Sequence, residues 1–274
     1  MLELNKIHQG DSTSLLKQLP DKSIQLTVTS PPYFAYKDYG QAEENIENFE
    51  SYEKYVEYFD EWFKELYRVT DEDGRVCIII DDKHTNLKTE GVNKNRGTHA
   101  RLILIAEKYG FVYKDLVIWA KARAGHASGG SNLMLGSYPY PPNIPFVNWF
   151  EYILIFRKDG SSRVTEISEE NKQKSKLIFS EFKWASESIW KIPPERNIDH
   201  PAPFPEEIAR RLIKLFSFVG ETVLDTFSGL GTVPFVSKQL GRNYFGFELN
   251  PKYCKATESR LTQSCIDKIS PKLF

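Results

Sequence analysis

Between Thr222 and Glu248 the chain reads T-V-L-D-T-F-S-G-L-G-T, then V-P-F-V-S-K-Q-L, then N-Y-F-G-F-E after a short turn. A short apolar strand runs into a glycine-rich turn, a helix comes next, and a second apolar strand closes the unit. Two strands joined through a helix lie parallel in one sheet, with helices covering its faces. The same alternation recurs upstream. Tyr52, Val56, Phe59, Phe63 and Leu66 repeat at helical spacing over residues 51–68, with Tyr55 and Trp62 beside them. That aromatic stripe reads as core packing. Asp73-Gly74 is expected to turn the chain into the buried strand R-V-C-I-I-I-D. Further strands are expected at 4–10, 24–29, 111–119 and 151–158, with helices ending at Leu19, over 99–108, and over E-E-I-A-R-R-L-I-K-L-F-S-F. The chain is therefore expected to be an α/β protein built on a mostly parallel sheet.

The glycine-rich unit also carries chemistry. Gly229 and Gly231 let the backbone approach a ligand closely and accept positive φ where needed. Asp225 ends the first strand, and Thr232 opens a helix whose N-terminus favours negative charge. Glu248, 17 residues after Gly231, ends the second strand, where an acidic group accepts the ribose hydroxyls of an adenosine moiety. No lysine with Ser/Thr follows the glycines, which disfavours a triphosphate P-loop.

A second stretch, I-Q-L-T-V-T-S-P-P-Y over 24–33, is a short buried strand rich in β-branched residues. Its two prolines stop it, since neither has an N–H for a sheet. Beyond them the chain forms a stiff loop at the carboxyl end of a strand, where open α/β sheets hold ligands. Ser30 supplies a hydroxyl, Pro31 a fixed carbonyl, and Tyr33 a flat aromatic face. Those groups suit an exocyclic amino group on a planar base, although a Pro-Pro surface turn is the plainer reading of this pentapeptide by itself.

Composition narrows the class. Of 274 residues 41% are hydrophobic and 27% charged, ordinary for a soluble globular protein. No apolar run reaches the length of a membrane span, and M-L-E-L-N-K lacks a signal-peptide pattern. Cys77, Cys254 and Cys265 have no metal-ligand spacing, so no metal is expected and a reducing, cytoplasmic setting is. Residues 38–73 hold 13 acidic and 3 basic side chains, a net of -10, whereas 83–123 hold 9 basic and 3 acidic, a net of +6. One face for a polyanion or two differently charged solvated faces both explain this. Aromatic content of 14% leaves material for base stacking.

Taken together, D-T-F-S-G-L-G-T, F-G-F-E-L-N-P-K-Y, H-P-A-P-F-P and T-S-P-P-Y resemble the amino-group DNA methyltransferases that use S-adenosylmethionine. The order of parts is similar to their β class, with the catalytic motif first and the cofactor motifs last. The resemblance implies a Rossmann-like methyltransferase fold, circularly permuted in motif order, carrying loop insertions. It divides the chain into a catalytic half (1–158, with basic loops 83–98 and 120–148), a candidate target-recognition or accessory region (159–198), and a cofactor half (199–274) of the same domain. Thr226, where the family usually has proline, and Leu230, where a small residue is common, depart from the pattern without touching a group that must carry charge.

By that resemblance Asp225, Thr226, Phe227, Ser228, Gly229, Gly231 and Thr232 form the methionine-binding turn, with Thr29 nearby. Glu248, with Leu249 and Asn250, resembles the ribose-binding segment. His200, Pro203 and Phe204 resemble the stretch covering the methionine end. Asp11 matches the acidic residue near the adenine; as a residue it also suits a helix cap, and both roles can hold at once. The implied catalytic residues are Ser30, Pro31, Pro32 and Tyr33, the cofactor S-adenosylmethionine, and its product S-adenosylhomocysteine. Ser30 is similar to the N4-cytosine enzymes, while N6-adenine enzymes mostly carry Asp or Asn there. No cysteine follows a proline, which removes C5-cytosine chemistry.

The implied substrate is double-stranded DNA, with the base flipped out for reaction. Lys83, Lys88, Lys94, Arg96, Lys121 and Arg123 are the candidate DNA contacts. The same resemblance implies a restriction-modification setting in a bacterium or archaeon, with a cognate endonuclease acting on the same site without direct contact. Monomer and dimer both remain open. An N6-adenine DNA methyltransferase is the first alternative, and a non-catalytic nucleic-acid-binding module with a retained cofactor fold is the alternative of a different class.

Overall fold

A computed structural model of the chain describes residues 2–34, 49, 51–82, 94–121, 140–141, 149–195 and 204–262. Strand β1 (Lys6–Gln9) leads into helix α1 (Ser12–Leu16), where Asp11 is the N-cap and its Oδ1 accepts the Ser14 N–H at 2.8 Å. Strand β2 (Ile24–Thr29) and helix α2 (Tyr52–Val69) come after it. The apolar stripe of α2 is buried as its spacing predicts, through Tyr52, Tyr55, Phe59, Trp62, Phe63 and Leu66.

The expected turn at Asp73-Gly74 is absent. Strand β3 (Thr70–Ile80) begins directly after α2 and absorbs both residues in a bulge, seen as a register shift against β2. Asp73 sits at φ 54. A Cβ on Gly74 would come 2.6 Å from Thr70 Cγ2 and 2.8 Å from the Asp71 carbonyl oxygen. Turn-forming residues inside an extended run mark such bulges as well as reversals.

Helix α3 (Thr98–Lys108), strand β4 (Phe111–Ala120) and strand β5 (Phe150–Lys158) come next. The region 159–198 contributes helices α4 (Glu169–Lys174) and α5 (Phe179–Ala185) and a short strand β6 (Ile189–Lys191). Helix α6 (Glu206–Phe216), strand β7 (Thr222–Asp225), helix α7 (Thr232–Gln239), strand β8 (Asn243–Glu248) and helix α8 (Pro251–Thr262) complete the described chain.

The described strands form one eight-stranded sheet in the order β1-β8-β7-β2-β3-β5-β4-β6. Neighbours are parallel except where β5 lies antiparallel to β3 and β4. Side chains alternate between two helical layers, as the pleat requires. Val76, Ile78 and Ile80 of β3 join the core with α1, α2 and α3, while Cys77 and Ile79 join the one with α6 and α7. Parallel strands covered on both faces read as near-continuous apolar runs, which is why R-V-C-I-I-I shows no polar alternation.

The described part of the 159–198 region, 159–195, is fastened to this framework. β6 pairs with β4, Trp190 is buried, Arg163 pairs with Glu221 at 2.8 Å, and the Arg211 guanidinium lies 4.5 Å from the Trp184 ring centroid. Among the described residues no helix is long and apolar enough to cross a membrane, and no group of three or more His, Cys, Asp or Glu side chains could hold a metal.

Candidate active site

Strands β7 and β2 are neighbours in the sheet, yet the helices that come after them, α7 and α2, pack on opposite faces. That is a topological switch point, and it opens a crevice beyond the carboxyl ends of the two strands. Thr29 ends β2 and Asp225 ends β7. The Thr29 hydroxyl donates to Asp225 Oδ1 at 2.8 Å and lies 3.2 Å from the Thr226 hydroxyl. The Phe227 N–H reaches the same carboxylate oxygen at 3.1 Å. Groups 196 residues apart in sequence are thereby fastened together at the mouth of the crevice. Asp225 is 1% exposed. Burial pushes its carboxyl up to about 7, with the Glu248 charge adding to the effect and the Thr29 and Phe227 hydrogen bonds opposing it.

The glycine turn has the conformation its sequence predicts. Gly229 and Gly231 have φ 51 and 71, and Gly231 caps α7. Glu248 Oε2 accepts the Gly229 N–H at 2.8 Å and Oε1 accepts the Asn250 N–H at 2.7 Å. Burial raises this carboxyl too, while those backbone donors pull it down. Ser228 Oγ is buried with no hydrogen-bond partner. A buried hydroxyl left this way costs free energy. Asp11 stands beside this group, because Gln9 and Glu248 are partners in register and the Gly10 N–H donates to the Glu248 carbonyl oxygen at 3.0 Å. Its cap role is present, and its second oxygen accepts the Tyr58 hydroxyl at 3.0 Å. Leu249 and Asn250 are half-buried next to Glu248. Phe204 is buried in the core beside α6.

The proline loop is held from behind. Pro31 and Tyr33 are buried while Ser30 and Pro32 are half-buried. The Tyr55 hydroxyl of α2 donates to the Pro32 carbonyl oxygen at 3.1 Å. Tyr33 is 8% exposed, and its hydroxyl donates to Glu151 Oε2 at 2.9 Å. The other oxygen of Glu151 accepts from Lys121 at 2.5 Å. Burial drives the Tyr33 phenol well above its ordinary range, the Glu151 charge acts in the same direction, and a hydrogen bond with Ser30 opposes them.

Glu151 and Asp81 are the residues that sequence reasoning missed. Asp81 follows β3, with Oδ1 buried and without a hydrogen-bond partner, and its carboxyl is raised to about 6 by burial and then by the Glu151 charge. The available signal was acid at the open end of each apolar strand, in D-D after R-V-C-I-I-I and in E-Y-I-L-I-F.

The DNA-contact candidates divide. Lys94 is exposed, while the Arg96 guanidinium lies 4.0 Å from the Tyr52 ring centroid and 5.3 Å from that of Phe34. Lys121 is 29% exposed and paired with Glu151. Lys83, Lys88, Arg123, His200 and Pro203 lie outside the described residues.

Comparison with known proteins adds further findings. The family model described as DNA methylase matches residues 24–259. The type II methyltransferase M.MjaI of Methanocaldococcus jannaschii is 33% identical over 94% of this chain and 91% of its own length. The Thermus thermophilus protein TTHA0409, solved in complex with S-adenosyl-L-methionine, superposes with a TM-score of 0.75 at 32% identity, covering 93% of this chain and 92% of that one. The PvuII DNA methyltransferase, described as cytosine-N4-specific, shares the fold with a TM-score of 0.67 at 18% identity over 95% of this chain and 87% of its own.

Proposed function

This chain belongs to the N6/N4 family of DNA methylases, and from that premise we propose that it methylates the exocyclic N4 amino nitrogen of cytosine in double-stranded DNA. It is an S-adenosylmethionine-dependent DNA methyltransferase. The choice of cytosine rests on one observation: a hydroxyl, Ser30, stands at the end of β2 next to the Thr29–Asp225 bond.

The cofactor fits the residues present. S-adenosylmethionine carries a positive sulfonium and an ammonium group, and it supplies a methyl group bonded to sulfur. Asp225 and Glu248 bring buried or half-buried carboxylates to the crevice. The Asp225–Thr232 turn holds the methionine part and Glu248 the ribose hydroxyls, with Asp11 toward the adenine.

A cytosine amino nitrogen is a poor nucleophile because its lone pair is delocalised into the ring. Ser30 Oγ and the Pro31 carbonyl oxygen each accept one amino N–H, which favours a pyramidal nitrogen with a localised pair. The loop is stiff before the base arrives, because two prolines fix φ and Tyr55 holds the Pro32 carbonyl. Fixed acceptors of this kind act without reorganisation during reaction. The base must leave the duplex to reach them. Tyr33 is buried in this conformation, so stacking on the base requires one ring face to be uncovered.

Digestion of treated plasmid DNA to nucleosides, followed by mass spectrometry, tests the reading. N4-methylcytosine is expected. N6-methyladenine would retain the family chemistry and reject the role given to Ser30 in choosing the base. Lys94 and Arg96, and the 159–198 region, are assigned to DNA contact under the same proposal, with a cognate endonuclease reading the same site.

Asp225 makes cofactor affinity depend on pH. In the ligand-free protein its carboxyl titrates near about 7, and a bound cation favours the ionised form. Below that pH, binding must expel a proton. Affinity is therefore expected to weaken by up to about tenfold per pH unit as pH falls below neutrality, and to level off above it. Calorimetry from pH 5.5 to 8.5 reads this directly, and Asp225→Asn should flatten the profile. A wild-type affinity constant across that range would sink the assignment.

A further inference from the structure

Helix α8 reaches the glycine turn with two side chains three residues apart, which a helix presents on one face. The Thr257 hydroxyl donates to the Gly229 carbonyl oxygen at 3.0 Å, and Arg260 Nη1 donates to the Leu230 carbonyl oxygen at 3.0 Å. Successive carbonyls of the turn are thus held by one helix. A flat amide ties each carbonyl to the N–H of the next residue. The two bonds therefore also set the directions of the Leu230 and Gly231 N–H groups.

Arg260 has a second hold. Its Nη2 donates to Glu206 Oε1 at 2.7 Å, and Glu206 is the first residue of α6, two places after Phe204. The guanidinium carbon lies 4.5 Å from the Phe235 ring centroid on α7. A guanidinium is a planar fork that bonds two acceptors in fixed directions, whereas an ammonium is a point charge. One side chain therefore sets the spacing between the glycine turn and the N-terminus of α6. In the reading above that turn holds the methionine part, and Phe204 belongs to the stretch that resembles the cover of the same end.

We infer that Arg260 is a positioning residue for the methionine end of the cofactor, a clamp that keeps the glycine turn and the start of α6 at the spacing the ligand needs. It acts through Leu230 and Glu206 rather than by contact with the ligand. Binding sites depend on such supporting bonds to hold their geometry. The inference rests on the cofactor placement proposed above and adds a residue to it. The adenosine end is braced by other bonds: Glu248 accepts from the Gly229 and Asn250 N–H groups, and Asp11 from Ser14 and Tyr58. Loss of the clamp is therefore felt at the methionine part.

The test compares two ligands by calorimetry on the full chain: S-adenosylmethionine, and adenosine, which has the base and ribose without the methionine part. Arg260→Met keeps an apolar stem and removes both donors. It is expected to weaken S-adenosylmethionine roughly tenfold, the worth of about one hydrogen bond to a charged group, and to leave adenosine affinity as in wild type. Arg260→Lys keeps the charge without the fork and should weaken the same ligand. Glu206→Gln should do so by less, and the double variant with Arg260→Met should match Arg260→Met alone, because Glu206 acts through the guanidinium. If Arg260→Met does not fold, Glu206→Gln and Arg260→Lys carry the same comparison. Unchanged S-adenosylmethionine affinity overturns the clamp, and so do equal losses for the two ligands, which general loosening of the site produces. Asp225→Asn separates the two failures. If it too leaves S-adenosylmethionine affinity unchanged, the placement of the methionine part fails; a loss in Asp225→Asn with none in Arg260→Met rejects the clamp alone.

Discussion

Ser30→Ala is expected to lower the single-turnover methylation rate by roughly a hundredfold to a thousandfold, while S-adenosylmethionine binds as before. The magnitude reflects the group removed. One of two acceptors that localise the nitrogen lone pair is lost, and deleting one pre-positioned group that acts on developing charge costs that much in comparable sites. Water cannot replace it at no cost, because Pro31 beside it is buried and the loop is pinned through Pro32 to Tyr55. The fold should be indifferent, since Ser30 is half-buried and alanine is the smaller residue. Rate constants at saturating DNA and cofactor, beside a calorimetric cofactor Kd, separate chemistry from binding. An unchanged rate in Ser30→Ala would reject this mechanism for the amino group.

Gly231→Ala is expected to damage both stability and cofactor binding. The residue has φ 71, and a Cβ there would lie 2.1 Å from Thr257 Cγ2. Left-handed backbone at a residue with a Cβ costs roughly 1–2 kcal/mol. Overpacking adds about 1–3 kcal/mol, because Thr257 is fully buried and its hydroxyl donates to the Gly229 carbonyl oxygen at 3.0 Å, so it cannot simply rotate away. The loss should total about 2–5 kcal/mol. Denaturant midpoints measure it, and Thr257→Ser is the control. In the double variant the 2.1 Å contact goes, but the close contacts to Oγ at 3.0 Å and Cβ at 3.1 Å and the backbone strain stay, so recovery should be partial. Full stability in Gly231→Ala would show that the turn tolerates a Cβ and that Thr257 yields.

Those two positions show how much was legible in the sequence. Gly231 could be read as a positive-φ position from the turn itself, whereas the crowding by Thr257 comes from the helix that follows β8 and has no local signature. Ser30 was legible because strand and proline loop are one continuous stretch. Glu151 and Asp81 were not, since acid at the end of an apolar strand gains meaning only when β3, β5 and the proline loop come together. The helix of Tyr52–Val69 declared itself by period, but Asp73-Gly74 has the same composition in a bulge as in a reversal. Strand order was hidden for a similar reason: nothing near residues 6 or 24 announces that β1 will lie beside β8 and β2 beside β7.

Those two pairings bear on biosynthesis. Of the first strands to leave the ribosome, β1 finds its sheet neighbour and β2 its second only after residues 222–248 have been made. Until then β2 has one bare edge, β1 has no neighbour at all, and Thr29 lacks the carboxylate it holds in the finished molecule. Contacts between distant parts of a chain form slowly and leave apolar edges open to aggregation meanwhile. The crevice is therefore among the last features to appear, and a nascent chain carrying the whole proline loop has no means of acting on DNA.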